Sequence, residues 1–143
     1  MPGYKEVRTV PYTSQQMFDL VTDIEKYPDF LPWCLGAHIH ERTDEEITAD
    51  LKIGYKVFRE SFTSKVILEG NHSVLVSYVR GPMDKLTNHW KFTDNGDGSC
   101  EVDFNVDFSF RSRMFQMMLL PFLDKAIRKL VAAFEERARE LYG

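Results

Sequence analysis

The sequence predicts an α+β fold in which a curved antiparallel sheet of about seven strands wraps a long C-terminal helix, in the order β-α-α-β6-α. Three observations carry this reading. Val102, Phe104, Val106, Phe108 and Phe110 alternate with Glu101, Asp103, Asn105, Asp107 and Ser109, which means one dry and one wet face. From Leu35 onward, runs of period two are punctuated by turn residues. Finally, Arg113 to Leu141 reads as a helix of about 40 Å. A sheet with one apolar face must cover it, and only that last segment is long enough. Curving such a sheet around a helix leaves a space between them, a common ligand site.

The elements follow in order. Lys5 to Tyr12 mixes β-branched, aromatic and charged residues and predicts a first strand, limited by Pro11. Ser14 offers an N-cap, after which Met17, Phe18, Leu20, Val21 and Ile24 recur at helical spacing. That helix should stop before Tyr27-Pro28. The segment Tyr27 to Cys34, YPDFLPWC, predicts a short helical turn or ordered loop plugging one end of the fold. Leu35, Ala37 and Ile39 then alternate with His38 and His40, Thr43-Asp44-Glu45 turns the chain, and Ile47, Ala49, Leu51 and Ile53 follow. Gly54 predicts a bulge or bend. Phe58, Phe62, Val66 and Leu68 make the next inward set, Gly70-Asn71 a turn, and Val74, Val76 and Tyr78 a strand stopped by Gly81-Pro82. Leu86, Trp90 and Phe92 lead to Asn95-Gly96-Asp97-Gly98, a hairpin signal. Nothing divides the chain, so residues 1–143 read as one domain.

Composition excludes several classes. Of 143 residues, 43% are hydrophobic and 28% charged, which is globular material of a length that can bury about two-thirds of its unfolded surface. The formal net charge of −4 argues against broad nucleic-acid binding. Cys34 and Cys100 are too few for a disulfide framework, and no signal or mitochondrial targeting segment precedes the first strand, so a cytoplasmic setting is expected. The longest apolar run falls far short of the ~20 residues a bilayer span needs.

Three constellations could carry chemistry. Met114 to Leu123, MFQMMLLPFL, is apolar almost all round. It is either buried on several sides, or a flexible lid over an apolar cavity, or a patch touching lipid, and Pro121 could kink it. Arg111, Arg113, Lys125, Arg128 and Lys129 flank it, as at an anionic membrane surface, where solubility alone is the other reading. Glu60, Ser64, Tyr78, Arg80 and Asn88 are polar residues in the apolar phase of the sheet. Either Glu60 and Arg80 lie at strand ends near water or pair with each other, or these groups fix the polar head of a ligand. Cys34, His38 and His40 share strand parity but should face water, so no metal site is expected. No nucleophile elbow, dinucleotide fingerprint or P-loop is present, and a binder is expected rather than an enzyme.

These residues resemble a known family. The order of elements is similar to the helix-grip fold of the START-like superfamily, also called polyketide cyclase/dehydrase-like or SRPBCC. Within it, YPDFLPWC at 27–34, IGYKVFRESFTSKV at 53–66 and RGPMDKLTNHWKF at 80–92 resemble the coenzyme Q-binding proteins. The resemblance implies a carrier or chaperone that binds ubiquinone or a similar isoprenoid lipid, supports respiratory electron transport and uses no cofactor. Its ligand-binding residues would be Trp33, Phe62, Tyr78, Trp90, Phe92, Phe104, Phe108, Met118 and Phe122, with Glu60, Arg80 and Asn88 as polar anchors. Peripheral contact with the inner membrane would run through Met114 to Leu123. Bacterial relatives include ribosome association toxins, which leaves inhibition of ribosomal subunit joining as the alternative function.

Overall fold

The computed structural model describes residues 3–31, 33–55, 58–70 and 72–143, with the side chains of Tyr55, Phe58 and Phe115 outside the description. The expected inward place of Phe58 and the turn residue Asn71 therefore lie outside the described residues.

The chain runs β1 (Gly3–Val10), α1 (Ser14–Thr22), a 3₁₀ helix (Ile24–Asp29), β2 (Cys34–Arg42), β3 (Glu46–Tyr55), β4 (Phe58–Glu69), β5 (Ser73–Arg80), β6 (Met83–Asp94), β7 (Cys100–Phe110) and α2 (Arg113–Tyr142). All seven strands form one antiparallel sheet in the order β1-β7-β6-β5-β4-β3-β2. Every strand after β2 thus pairs with its sequence neighbour, and β1 closes against β7. The fold class is the one the sequence predicts.

Strand β7 shows why the pattern is so readable. Its inward residues, Val102 through Phe110 in steps of two, are all at most 8% exposed, while Glu101 and Asp107 face water. The β6–β7 hairpin turns through Gly96 and Gly98, whose φ values of 83° and 89° only glycine adopts without strain.

The cap of helix α1 lies one residue earlier than predicted. Thr13, not Ser14, is the N-cap, because its hydroxyl accepts from the Gln16 N–H at 3.1 Å while the Gln16 side chain accepts from the Thr13 N–H at 2.9 Å. Ser14 is helical and donates to Asp94 at 3.1 Å. The α-helix ends at Thr22, before Tyr27-Pro28 as expected, and a separate 3₁₀ helix, Ile24–Asp29, contains Pro28. It packs beside β2 as a plug, held by the Tyr27 hydroxyl donating to the Val21 carbonyl.

Two expectations on the β2–β3 side fail for one local reason. A register shift between Cys34 and Gly36 breaks the strand's parity, so Cys34 is 4% exposed and Leu35 turns outward at 42%. His38 and His40 are exposed, with His40 Nε2 2.7 Å from Asp50, so Cys34 does not share their face. Gly54 is not a bulge. It pairs in register with Arg59, and a Cβ there would lie 2.6 Å from Leu35 Cδ1, so a larger residue would have to push the outward leucine aside. Burial pushes the Cys100 thiol up to about 11 and Cys34 upward too, which keeps both as inert thiols at neutral pH.

Helix α2 is continuous through Pro121. Its C-terminal half is docked: Val131, Phe134 and Ala138 are buried, Arg8 of β1 pairs with Glu135, and the Tyr142 hydroxyl donates to the Gln16 carbonyl at 3.0 Å. Its N-terminal half sits differently. Leu119, Leu123, Ile127 and Leu130 are only partly buried, because the space between them and the sheet is not filled.

Candidate ligand cavity

That space is a cavity of about 240 Å³ between α2 and the concave face of the sheet. Phe62, Ser64 and Val66 of β4 and Val74 and Val76 of β5 form one wall. Leu86, Asn88 and Trp90 of β6, with Phe104, Val106, Phe108 and Phe110 of β7, form the other. The roof is the stripe Leu119, Leu123, Ile127 and Leu130, which repeats at the helical spacing that keeps residues on one face.

One end is closed by aromatic rings. Phe134 meets Tyr27, Phe30 and Trp90 edge-on at centroid distances of 5.3, 5.1 and 5.0 Å, and Trp90 meets Phe104 at 4.6 Å. Tilted aromatic pairs of this kind add stability beyond the area they bury. The other end lies under the first turns of α2. There Phe122 lines the cavity yet is 40% exposed, and Met114, Met117 and Met118 stand 78%, 71% and 64% exposed on the outer side.

The cavity wall carries no carboxylate, ammonium, guanidinium or imidazole among the described residues. Its polar groups are few. Asn88 donates to the Asn105 carbonyl at 2.8 Å and accepts from the Trp90 indole at 3.0 Å. Ser64 is 3% exposed, and the Trp33 indole N–H is buried without a partner. The Tyr27 hydroxyl is committed to Val21, and burial raises the phenol far above its ordinary range.

Of the residues expected to bind ligand, the structure brings Trp33, Phe62, Trp90, Phe104, Phe108, Phe122 and Asn88 to the cavity wall. The others sit elsewhere. Met118 faces solvent, since it is one residue, about 100°, off the inner stripe that Leu119 begins. Phe92 is 3% exposed but lies one inward step beyond Trp90, stacked on it at 6.2 Å behind the closed end. Tyr78 accepts the Met83 N–H at 2.9 Å and braces the β5–β6 turn. Glu60 and Arg80 are exposed near strand ends, where water solvates their charges, and so do not anchor anything inside.

Residues 10–135 match the family described as polyketide cyclase / dehydrase and lipid transport. The chain belongs to this family. It is 34% identical over 143 residues to the ribosome association toxin RatA of Escherichia coli K12, covering 100% of this chain and 90% of that protein. It is 29% identical to the coenzyme Q-binding protein COQ10 homolog B, mitochondrial, of Xenopus laevis, covering 98% of this chain and 59% of that one. A START superfamily protein from Mycobacterium smegmatis shares the fold, with a TM-score of 0.83 at 17% identity over 97% of this chain and 98% of the other. The helix-grip, START-like architecture is therefore the observed one. Among the described residues, no helix is long and apolar enough to cross a membrane.

Proposed function

We propose that residues 1–143 act as one ligand-binding domain that holds ubiquinone or a similar isoprenoid lipid, as a carrier or chaperone supporting respiratory electron transport. The observation that carries this reading is the apolar, charge-free cavity of about 240 Å³. Cavities of about 150 Å³ lined by such side chains take up benzene, so this one accommodates a substituted ring or a short stretch of prenyl chain. A long isoprenoid tail must leave it, and the end beneath Phe122 offers the way out. The likeness to a COQ10 homolog supports the quinone as ligand. Holding is favoured over catalysis because, among the described lining residues, the one ionisable group is the Tyr27 phenol, which is committed to the Val21 carbonyl and held protonated by burial.

Reaching a membrane-dissolved ligand requires contact with the bilayer. The exposed Met114, Met117 and Met118 lie beside the half-exposed Phe122, so an apolar patch adjoins the cavity. Between residues 111 and 134 the chain carries five basic residues, Arg111, Arg113, Lys125, Arg128 and Lys129, against one acid, Asp124. This local positive charge, on a chain of net −4, suits peripheral docking on the anionic cytoplasmic face of the inner membrane.

The test is organic extraction of the purified protein followed by mass spectrometry. An isoprenoid quinone recovered with the protein, or taken up when added, is expected. Neither appearing removes the quinone. The 34% identity to RatA over the whole chain favours a second reading, inhibition of ribosomal subunit joining. A shift from joined ribosomes to free subunits in sucrose gradients of overexpressing cells would promote it.

A further inference from the structure

The cavity wall holds one polar side chain whose presence the fold does not explain. Ser64 points from the middle of β4 into the same space as Phe62 and Val66, is 3% exposed, and its hydroxyl makes no hydrogen bond among the described residues. Its cross-strand neighbours are not bonded to it. Ala49 has no polar side chain, and the Tyr78 hydroxyl is occupied with the Met83 N–H. What surface the hydroxyl keeps opens on the cavity, where a bound ligand can meet it. A second polar group is buried outright. Trp33 lines the same cavity and its indole nitrogen, which can only donate, is buried and unpartnered.

We propose that Ser64 is the hydrogen-bond anchor for an uncharged ligand bearing an oxygen acceptor, such as a ring carbonyl, with the Trp33 indole N–H as a second donor. The absence of any ionisable group among the described lining residues, Tyr27 aside, sets the ligand's charge: a carboxylate or phosphate would be buried without a counter-ion. The two spare donors set its polarity, because each is satisfied by a carbonyl or ether oxygen. Asn88 is less available, since its carbonyl already accepts from Trp90 and its amide already donates to Asn105. A neutral, carbonyl-bearing ring with an apolar body is thus selected over a fatty acid and over a plain hydrocarbon. The assignment rests on the cavity being a ligand site, as proposed above, but not on that ligand being a quinone.

The test uses two probes of nearly identical shape, 2-acetylnaphthalene and 2-isopropenylnaphthalene, which differ by a carbonyl oxygen in place of a methylene. Affinities for both are measured by calorimetry on the full chain and on Ser64→Ala and Trp33→Phe. Ser64→Ala is expected to lower the ketone-to-alkene affinity ratio about tenfold, the worth of one hydrogen bond, while leaving alkene binding unchanged. Trp33→Phe, which keeps the ring and removes the N–H, is expected to lower the same ratio. The proposal is overturned if Ser64→Ala weakens both probes alike, if the ratio stays within about twofold in both variants, or if neither probe binds the wild-type chain. A ketone preference of the wild-type chain that Ser64→Ala abolishes, alongside no binding of ubiquinone, would support Ser64 as the anchor and remove the quinone alone.

Discussion

Phe134→Ala is expected to destabilise the protein by about 3–5 kcal/mol, measured as a lower midpoint in urea unfolding. Phe134 is 3% exposed and its ring touches three others at once, Tyr27 and Phe30 of the plug and Trp90 of β6. It is therefore where α2, the 3₁₀ segment and the sheet are fastened together. Most large-to-small changes in a core leave a void that partly collapses. Here collapse is hindered, because the residues above already border an open cavity and have little to move onto. The upper part of the range follows. A loss below about 1 kcal/mol would mean that the aromatic end is not what holds the helix to the sheet.

The second large effect concerns the outer side of α2. Replacing Met117 and Met118 together with Asp is expected to weaken binding to vesicles of mixed neutral and anionic lipid by about a hundredfold or more, since two apolar side chains would lose their burial in lipid and two charges would oppose it. Their exposures of 71% and 64% mean that the folded protein loses almost no packing, so thermal unfolding should be unchanged. Leu119, next in sequence, is unsuitable for this test because it roofs the cavity. The basic residues make a separate contribution of ~1 kcal/mol each where they reach the surface. Lys125 and Lys129 lie on the same outer side of the helix about two and three turns on, whereas Arg128 is already tied to Asp124 at 3.1 Å. Sedimentation with vesicles that is equal for wild type and the double variant would place the membrane contact elsewhere. Unfolding of the double variant would show that these methionines are core.

What the sequence makes legible depends on how local the cause is. The five inward residues of β7 could be read because each face of an unbroken strand meets one environment throughout. Cys34 and Leu35 depart from the expected alternation because a single register shift inverts parity, and Gly36 beside it was the one local signal. Thr13 and Ser14 offer the same hydroxyl chemistry, and only Gln16 three residues after Thr13 distinguishes the cap. Met118 and Leu119 are both apolar, so a run that is greasy on every side hides which stripe faces in. The spacing Leu119, Leu123, Ile127, Leu130 and Phe134 was the available signal, because it continues into the clearly amphipathic C-terminal half. Glu60 and Ser64 share one face of β4, yet one is exposed and the other buried. Alternation gives the face, but position along a strand decides whether that face is still inside.

The most direct test of the ligand-binding account uses the protein's own fluorescence. The chain has two tryptophans, Trp33 and Trp90, and both line the cavity. Titration with a short-tailed ubiquinone should quench their emission saturably at one equivalent, as expected for a ring held against them. Ala126→Phe, which pushes a ring into the cavity from α2, should abolish the saturable component while circular dichroism stays unchanged. Quenching that rises linearly without saturation, or that survives Ala126→Phe in a folded protein, would contradict the account.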